Sequence, residues 1–142
     1  MKFPTLLIAI ACLIPGCATT RNSDASASPV VAIRAAPPTG SDEVALTASI
    51  RGKLVQSGGC LRIQAVGGAN VLPIWRHTVS RVFIGGVPAI KDAASGHVVR
   101  VGELLSGSGG AAPEGALTAV AERGRVLACG GPYFLVDAFA RT

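Results

Sequence analysis

Five Gly-Gly pairs divide the chain after residue 44 into short apolar segments, and this spacing restricts the folds that it can adopt. The pairs lie at 58-59, 67-68, 85-86, 109-110 and 130-131. Glycine adopts positive φ at little cost, so paired glycines are typical of tight turns. We therefore expect short strands connected by turns in this part of the chain.

Apolar and polar residues alternate in most of the segments between these turns. Every second residue is apolar in 46–51 and in 61–65, a pattern that buries one face of a strand and leaves the other in water. Pro73 has no backbone N–H and indicates an edge or bent position in its own segment. Four further strand candidates are Val71–Trp75, Arg81–Ile84, His97–Val101 and Tyr133–Phe139.

The segment 111–123 fits two structures. Pro113 can begin a helix that Gly124 ends, whereas the alternation of residues within the segment favours a strand. We expect a short helix or an irregular crossover here. Five or six short strands with at most one short helix predict a mainly β domain, a small closed or partly open β-barrel of the OB or SH3-like kind.

Residues 18–43 differ in composition from the domain that follows them. They are rich in Ala, Ser, Thr and Pro, and Pro37, Pro38 and Gly40 interrupt regular structure. Val30–Ile33 is an apolar island that can pair as an edge strand, but its short length and the neighbouring prolines favour a linker. The composition therefore predicts a flexible tether.

The start of the chain resembles the signal peptide and lipobox of a bacterial lipoprotein. Lys2 supplies a positive charge, residues 6–14 are apolar, and the sequence Ile-Pro-Gly-Cys at Ile14–Cys17 completes the motif. In this family the cysteine receives a diacylglycerol, signal peptidase II cleaves in front of it, and the new amine is acylated, for example with palmitate. The resemblance assigns lipidation to Cys17.

The resemblance implies three parts: a signal peptide at 1–16, the lipidated cysteine with its tether at 17–43, and a β-barrel domain at 44–142. One alternative is a transmembrane helix, but Phe3–Cys17 is shorter than the roughly 20 apolar residues that a bilayer requires. The other alternative is ordinary secretory cleavage that leaves Cys17 unmodified.

The two residues after Cys17 bear on the location of the protein. Ala18 and Thr19 lack the Asp that favours inner-membrane retention among lipoproteins. The resemblance therefore implies a cell-envelope protein that is anchored in the outer membrane and faces the periplasm.

The chain from Gly52 onward also looks like a group of small bacterial envelope lipoproteins. This resemblance implies a small β-barrel in the envelope and carries no catalytic residue to transfer. The matching motifs are Gly-x-Leu at 52–54, Gly-Cys-Leu at 59–61, Ile-Trp at 74–75, Val-Gly-Glu at 101–103, the Gly-rich run to Gly110, and Cys-Gly-Gly at 129–131.

Two cysteines remain once Cys12 is removed with the signal peptide and Cys17 is acylated. An even pair in an oxidising compartment predicts a disulfide between Cys60 and Cys129. Neither cysteine belongs to a Cys-x-x-Cys motif, so a redox pair is disfavoured.

The formal net charge is +5, and most of the positive charges are arginines. Arginine suits bidentate contacts with phosphate or carboxylate groups. Because the charges are scattered, a solvated basic surface is the ordinary interpretation, and lipid headgroups, an envelope protein or an anionic cell-wall polymer are the alternative partners. Nucleic acid is not an expected partner outside the cytoplasm.

The candidate chemical groups are few. The chain has two histidines, His77 and His97, so a site of three histidines is excluded and a mixed metal site would need carboxylates. Ser106–Gly110 has the composition of a phosphate-binding loop but not its spacing, and we expect a flexible turn. No nucleophile elbow or pair of catalytic acids is present, and the sequence predicts no catalytic residue, no metal site and no cofactor.

Aromatic residues beside arginine offer one candidate binding face. Trp75, Arg76 and Tyr133 could line a shallow surface on which rings stack against a ligand while the guanidinium holds an anion. The alternative is that Trp75 and Phe134 fill the core, which a domain with few aromatic residues requires.

These observations predict a lipid-anchored, non-catalytic binding or structural module of the bacterial envelope. The alternative is a small metal- or ligand-binding protein, or an enzyme, that uses His77 and His97.

Overall fold

The computed structural model describes residues 28–41 and 46–142. This part of the chain contains nine strands, one short α-helix and one 3₁₀-helix. The strands are β1 (Ala32–Ile33), β2 (Ala48–Ser57), β3 (Cys60–Ala65), β4 (Asn70–Trp75), β5 (Val79–Ile84), β6 (Val87–Asp92), β7 (Val98–Arg100), β8 (Leu104–Ala112) and β9 (Tyr133–Arg141). The 3₁₀-helix is Glu114–Ala119, and the α-helix α1 is Arg123–Cys129.

Five strands form a closed mixed barrel. Their order around the barrel is β4, β3, β2, β8 and β9, and β9 returns to pair with β4. The pairing of β4 with β9 is parallel, whereas the other four are antiparallel. This arrangement confirms the predicted mainly β fold, and the number of strands is that of an OB-type barrel.

Three of the five Gly-Gly pairs lie in the hairpin turns for which they were predicted. The pairs 58-59, 67-68 and 85-86 connect β2 to β3, β3 to β4 and β5 to β6, and all six glycines have positive φ. These turns fix the lengths of the strands on either side.

The prediction of a flexible turn at Ser106–Gly110 is wrong, because these residues form the middle of β8. A Cβ on Gly109 would lie 1.7 Å from the carbonyl oxygen of Leu135, and one on Gly52 would lie 2.3 Å from that of Gln64. The glycines of β8 and β2 therefore permit a close approach of strands, which a small barrel needs where its sheet bends sharply. The register of β8 against β9 also shifts between Ser108 and Gly109.

A three-stranded antiparallel sheet is inserted between β4 and β8. It has the order β5, β6 and β7, and Val79, Ile90 and Val99 pack into the same core cluster as Trp75 of the barrel. The sequence pattern did not identify β6 as a strand, because a proline and two charged residues interrupt its apolar pattern.

The interpretation of Val30–Ile33 as a linker is wrong. Val30, Val31 and Ala32 are buried, and β1 pairs in parallel with the second half of β4. Val30 forms a further bridge to Cys60 at the start of β3. The segment fills the space between β3 and β4, so burial on both faces stabilises a strand of only two residues.

Pro73 lies where β4 changes its neighbour. The pairing of β4 with β3 ends at Val71, and its pairing with β1 begins at Ile74. The absent N–H of Pro73 therefore interrupts neither of these two ladders. The prediction of an edge position is wrong, because β4 has neighbours on both sides and Pro73 is in register with Phe134 of β9.

The described residues have two hydrophobic clusters. The first includes Leu54, Ile63 and Trp75 together with the inserted sheet. The second lies between β4, with Leu72 and Ile74, and the crossover from β8 to β9. This crossover contributes Leu117, Val120 and Val126.

The short helix or irregular crossover expected at 111–123 is present as a 3₁₀-helix, and the α-helix follows later in the chain. A 3₁₀-helix occupies Glu114–Ala119, and α1 begins at Arg123, so Gly124 lies inside the α-helix rather than at its end. The crossover has to cover Leu72 and Ile74 on the outside of the barrel, and this packing, rather than the local signals, sets the position of the helix.

The predicted disulfide is confirmed. Cys60 of β3 and Cys129 at the end of α1 are bonded, with their Cα atoms 6.0 Å apart. The bond fastens the crossover to the barrel beside the second cluster.

Candidate functional site

An open groove of about 550 Å³ crosses β2, β8 and β9 and reaches the loop between β6 and β7. The residues that line it are Ser49, Asp92, Ser95, His97, Ser106, Gly107, Ser108, Ala138, Phe139 and Ala140. Most of them are small, so the groove lies close to the surface of the three strands.

The register of the strands aligns the small side chains in rows. Ser49 is paired with Ser108, and Ser108 is paired with Ala138 on the other side. In the next row, Ser106 is paired with Ala140. Directly paired residues point to the same face of a sheet with their Cβ atoms about 5 Å apart. The three serines therefore place hydroxyl groups at regular intervals on one surface.

The loop at the edge of the groove is organised by Asp92. This side chain is 8% exposed. Its Oδ1 accepts a hydrogen bond from the backbone N–H of Ala94 at 3.1 Å. Its Oδ2 accepts one from the backbone N–H of Ser95 at 3.2 Å and another from the Ser95 hydroxyl at 2.6 Å. These bonds hold the loop in one conformation.

The same contacts determine the charge of Asp92. Burial raises the pKa of this carboxyl, but hydrogen bonds from the side chains of Ser95 and Thr78 and from two backbone N–H groups outweigh burial and lower the pKa to about 2. Asp92 is therefore ionised at neutral pH and its oxygens are engaged within the loop. It lacks the neutral-range pKa that a general acid or base requires.

Ser95, His97 and Asp92 do not form a catalytic triad. The Ser95 hydroxyl donates directly to Asp92. His97 reaches Ser95 through its backbone N–H, with 3.3 Å between N and Oγ, rather than through the imidazole. A triad needs the imidazole between the hydroxyl and the carboxylate. The groove therefore offers hydrogen-bonding groups rather than an activated nucleophile.

The hydroxyls of Ser49, Ser106 and Ser108 suit the recognition of a polar, extended ligand. Each hydroxyl can donate one hydrogen bond and accept others, and no large side chain separates the three serines. Arg51 is exposed and is paired with Ser106 in the strand register, so a cation lies at the margin of this surface.

The predicted face of Trp75, Arg76 and Tyr133 is not assembled. Trp75 is fully buried and its ring packs edge-to-face on Phe139, with centroids 5.1 Å apart. Tyr133 packs against the second cluster, whereas Trp75 belongs to the first. The alternative of core burial therefore holds for Trp75, and Phe134 packs against the same cluster.

Arg76 lies in a charged group that also contains Arg34 and Asp137. Arg34 Nη2 is 2.7 Å from Asp137 Oδ1, and Arg76 Nη1 is 3.5 Å from the Asp137 carbonyl oxygen. The backbone N–H of Leu46 donates to Asp137 Oδ2 at 3.2 Å. This group connects the ends of β1 and β4 to β9. No local pattern predicts it, because its members are far apart in the chain.

The two histidines have different surroundings. His97 lines the groove, whereas His77 is exposed in the turn between β4 and β5 and does not line it. Across residues 28–41 and 46–142, no group of three or more His, Cys, Asp or Glu side chains is arranged to hold a metal ion.

A smaller hollow of about 180 Å³ lies beside the disulfide. Val30, Cys60, Arg125 and Cys129 are among the residues that line it. The hollow marks the junction of the N-terminal segment, β3 and α1.

Cys17 and the predicted signal peptide at 1–16 lie outside the described residues. Among the residues that are described, no helix has both the length and the apolar character needed to cross a bilayer. Comparisons with protein-family models, curated proteins and solved structures found no match to this chain.

The serines of the groove were not identified from the sequence. Ser49 lies in a strand that was predicted, but Ser106 and Ser108 lie in a strand that was taken for a turn. Only the pairing of β2, β8 and β9 places the three side chains together.

Proposed function

We propose that the protein is a lipid-anchored, non-catalytic binding or structural module of the bacterial envelope, attached through Cys17 at the periplasmic side of the outer membrane. The observation that carries this proposal is the Cys60–Cys129 disulfide, because such bonds persist in oxidising compartments outside the cytoplasm. The resemblance of Ile14–Cys17 to a lipobox supplies the means of attachment.

The binding role rests on the groove. Its serine hydroxyls can hydrogen-bond a polar chain, such as a segment of an envelope protein or a cell-wall polymer. The non-catalytic character rests on the hydrogen bond that the Ser95 hydroxyl donates to the Asp92 carboxylate. Both groups are used in this bond, so neither acts on a ligand. No other group of the described residues offers a nucleophile paired with a base.

The anchor is tested by mass spectrometry of the full chain produced in a bacterial host with a lipoprotein pathway. The N-terminal peptide is expected to begin at Cys17 and to carry a diacylglycerol and an acyl chain. Cys17→Ser removes the acceptor thiol and is expected to block both lipidation and cleavage. Cys12→Ser is the matched control and is expected to leave processing unchanged. A Cys17→Ser protein that is cleaved normally would contradict the proposal.

The groove is tested by photocrosslinking in intact cells. A photoreactive phenylalanine analogue in place of Ser108 is expected to yield a covalent adduct with an envelope component. The same analogue in place of Thr118, which is exposed on the 3₁₀-helix and does not line the groove, is the control. Equal labelling from both positions would count against a binding role for the groove.

A second candidate function is the binding of a small ligand or metal through a histidine. The observation that favours it is the presence of His97 in the same groove as the serines. Metal analysis of the purified full chain tests this candidate. Stoichiometric zinc or copper that is lost in His97→Ala but retained in His77→Ala would favour it over the non-catalytic module.

A further inference from the structure

The hairpin of β5 and β6 ends in exposed apolar side chains. Phe83 is 52% exposed, Ile84 40% and Val87 39%. Ile84 is paired with Val87, and Phe83 is paired with Pro88 on the opposite face of the hairpin. Both faces of the tip are therefore apolar, and no element of the described chain covers them. Contiguous exposed apolar surface of this kind is typical of a contact site.

The tip is held in one conformation. The strands are paired up to Ile84 and Val87, and the turn consists of Gly85 and Gly86, whose φ angles are 58° and 78°. Positive φ at both central residues is the geometry of a tight two-residue hairpin. Binding through such a tip loses little conformational entropy.

Two arginines, one from the hairpin and one from α1, donate hydrogen bonds to the first residues of the described chain. Arg81 Nη1 donates to the carbonyl oxygen of Pro29 at 2.5 Å, and Arg125 Nη2 donates to that of Ser28 at 3.2 Å. Arg81 and Phe83 are two residues apart on β5 and point to the same face. The chain therefore enters the domain on the side that carries the apolar tip.

The distance from this entry point to the proposed anchor is limited. Residues 18–27 separate Cys17 from Ser28. A chain spans at most about 3.6 Å per residue, so the eleven steps from residue 17 to residue 28 reach no further than roughly 40 Å. Among the described residues, Ser28 therefore has the shortest connection to the proposed anchor.

The charge of the hairpin suits an anionic surface. The hairpin Val79–Asp92 carries Arg81, Lys91 and Asp92, and the Asp92 carboxylate is hydrogen-bonded within the loop after β6, at the end of the hairpin away from the tip. Lys91 is exposed on the face that also carries Ile84 and Val87, and it has no ion-pair partner among the described residues. Apolar side chains flanked by cations are the combination that binds at the boundary of headgroups and acyl chains of anionic lipids.

We infer that the tip of the β5–β6 hairpin, formed by Phe83, Ile84 and Val87, inserts into the surface of an anionic bilayer as a second membrane contact. This inference rests on the proposed anchoring through Cys17. The acyl chains hold the protein to the membrane, and the hairpin then sets its orientation, with the groove on β2, β8 and β9 held in a fixed direction relative to the lipid.

The test uses the full lipidated chain in vesicles of phosphatidylethanolamine and phosphatidylglycerol whose acyl chains carry bromine, which quenches nearby indoles. The fluorescence of Phe83→Trp is expected to fall by about half relative to unbrominated vesicles, because such segments insert to the depth of the first acyl carbons. The native Trp75 is fully buried and supplies a constant background.

Val66→Trp is the matched control. Val66 is an exposed apolar residue in the turn that follows β3. Cys60, at the other end of β3, is bridged to Val30 near the point where the chain enters the domain. Val66 therefore lies away from that entry point. Its fluorescence is expected to be insensitive to bromine. Adding Ile84→Asp to Phe83→Trp is expected to remove the quenching, and vesicles of phosphatidylcholine alone are expected to weaken it.

Mass spectrometry of Cys17 in the same sample separates the two proposals. If Cys17 is lipidated and Phe83→Trp is quenched no more than Val66→Trp, the inserted tip is refuted and the anchor stands. If Cys17 is unmodified and Phe83→Trp is still quenched, the tip contacts lipid without the anchor. If the fluorescence of Phe83→Trp changes with protein concentration but not with bromine, the tip contacts a second copy of the chain rather than lipid. That result would overturn the inference.

Discussion

Gly109 lies against the backbone of Leu135 so closely that a Cβ on the glycine would be 1.7 Å from the leucine carbonyl oxygen. The contact occurs where the register of β8 against β9 shifts, at the bend that lets the barrel close. The nearest atoms to such a side chain belong to the backbone of Leu135. A change of rotamer in a neighbouring side chain therefore cannot make room for it.

We predict that Gly109→Ala lowers the free energy of unfolding by about 3 kcal/mol, at the upper end of the usual cost of overpacking. The matched control is Gly115→Ala, because Gly115 has no positive φ and a Cβ there would have no neighbour within 4 Å. Urea unfolding of the two variants measures the difference. Equal stability of the two would show that the strands can separate at little cost.

The disulfide is expected to contribute a large share of the stability. It closes a loop of 69 residues, for which the chain-entropy model gives about 4 kcal/mol. The double substitution Cys60→Ala and Cys129→Ala is expected to lower the free energy of unfolding by about this amount. Thermal unfolding with and without reductant measures it, and reductant should not affect the double variant. Two reactive thiols in the unreduced, unfolded protein would contradict the bond.

Arg62 is expected to stabilise the end of α1. Its guanidinium donates to the carbonyl oxygens of Cys129 and Gly130, the latter at 2.9 Å, where a helix leaves its last acceptors unsatisfied. We predict that Arg62→Ala costs about 1.5–3 kcal/mol, the usual range for hydrogen bonds to a charged group. The control is Lys53→Ala on the exposed face of β2. A loss no larger than the control's would show that solvent replaces the guanidinium.

Asp92 is expected to make stability depend on acid pH. Its folded pKa of about 2 lies below the unfolded value of 3.8, so its contribution is fully present above the unfolded value and is lost as the pH falls through the folded one. Asp92→Asn is expected to cost on the order of 1–2 kcal/mol at neutral pH and to flatten the decline in stability between about pH 5 and pH 2. Urea unfolding across this range tests it, with exposed Glu114→Gln as control. A parallel decline in both variants would exclude Asp92 as the source.

The Arg34–Asp137 ion pair is expected to couple β1 to β9. Both side chains are partly buried, with 2.7 Å between Arg34 Nη2 and Asp137 Oδ1. A double-mutant cycle with Arg34→Met and Asp137→Asn is expected to give a coupling energy of about 1–2 kcal/mol, above that of exposed pairs. The exposed pair of Arg125 and Glu122 is the comparison. Equal coupling in the two pairs would contradict a structural role for Asp137.

The sequence predicted the elements whose signals are local. Paired glycines at 58-59, 67-68 and 85-86 identified three hairpin turns, and the alternation in 61–65 identified β3. It failed for β8, where the side chains that mark a strand are replaced by glycine and serine. Gly109 is required by the close approach of Leu135, a residue about 26 positions away in the chain.

The same distinction applies to the candidate site. The disulfide was predicted because cysteines are few and pair by elimination once the compartment is assumed. Ser106 and Ser108 were not recognised, because serine is common in turns and strands alike. Their relation to Ser49 depends on the register of strands that lie far apart in sequence, and no periodicity within one segment encodes it.

The sequence by itself predicted the strands other than β1, β6 and β8 and three hairpin turns, because each depends on residues that are near one another in the chain. It also predicted the pairing of Cys60 with Cys129 once Cys12 and Cys17 are assigned to export and lipidation, because cysteine is rare in the chain. The tertiary structure alone decided that Val30–Ile33 belongs to the fold and that Trp75 is interior, because burial depends on what packs against a residue. It also decided that Phe83 is exposed to solvent. An apolar residue in a strand has the same local pattern whether or not another element covers it. At the end of the β5–β6 hairpin, none of the described elements covers Phe83.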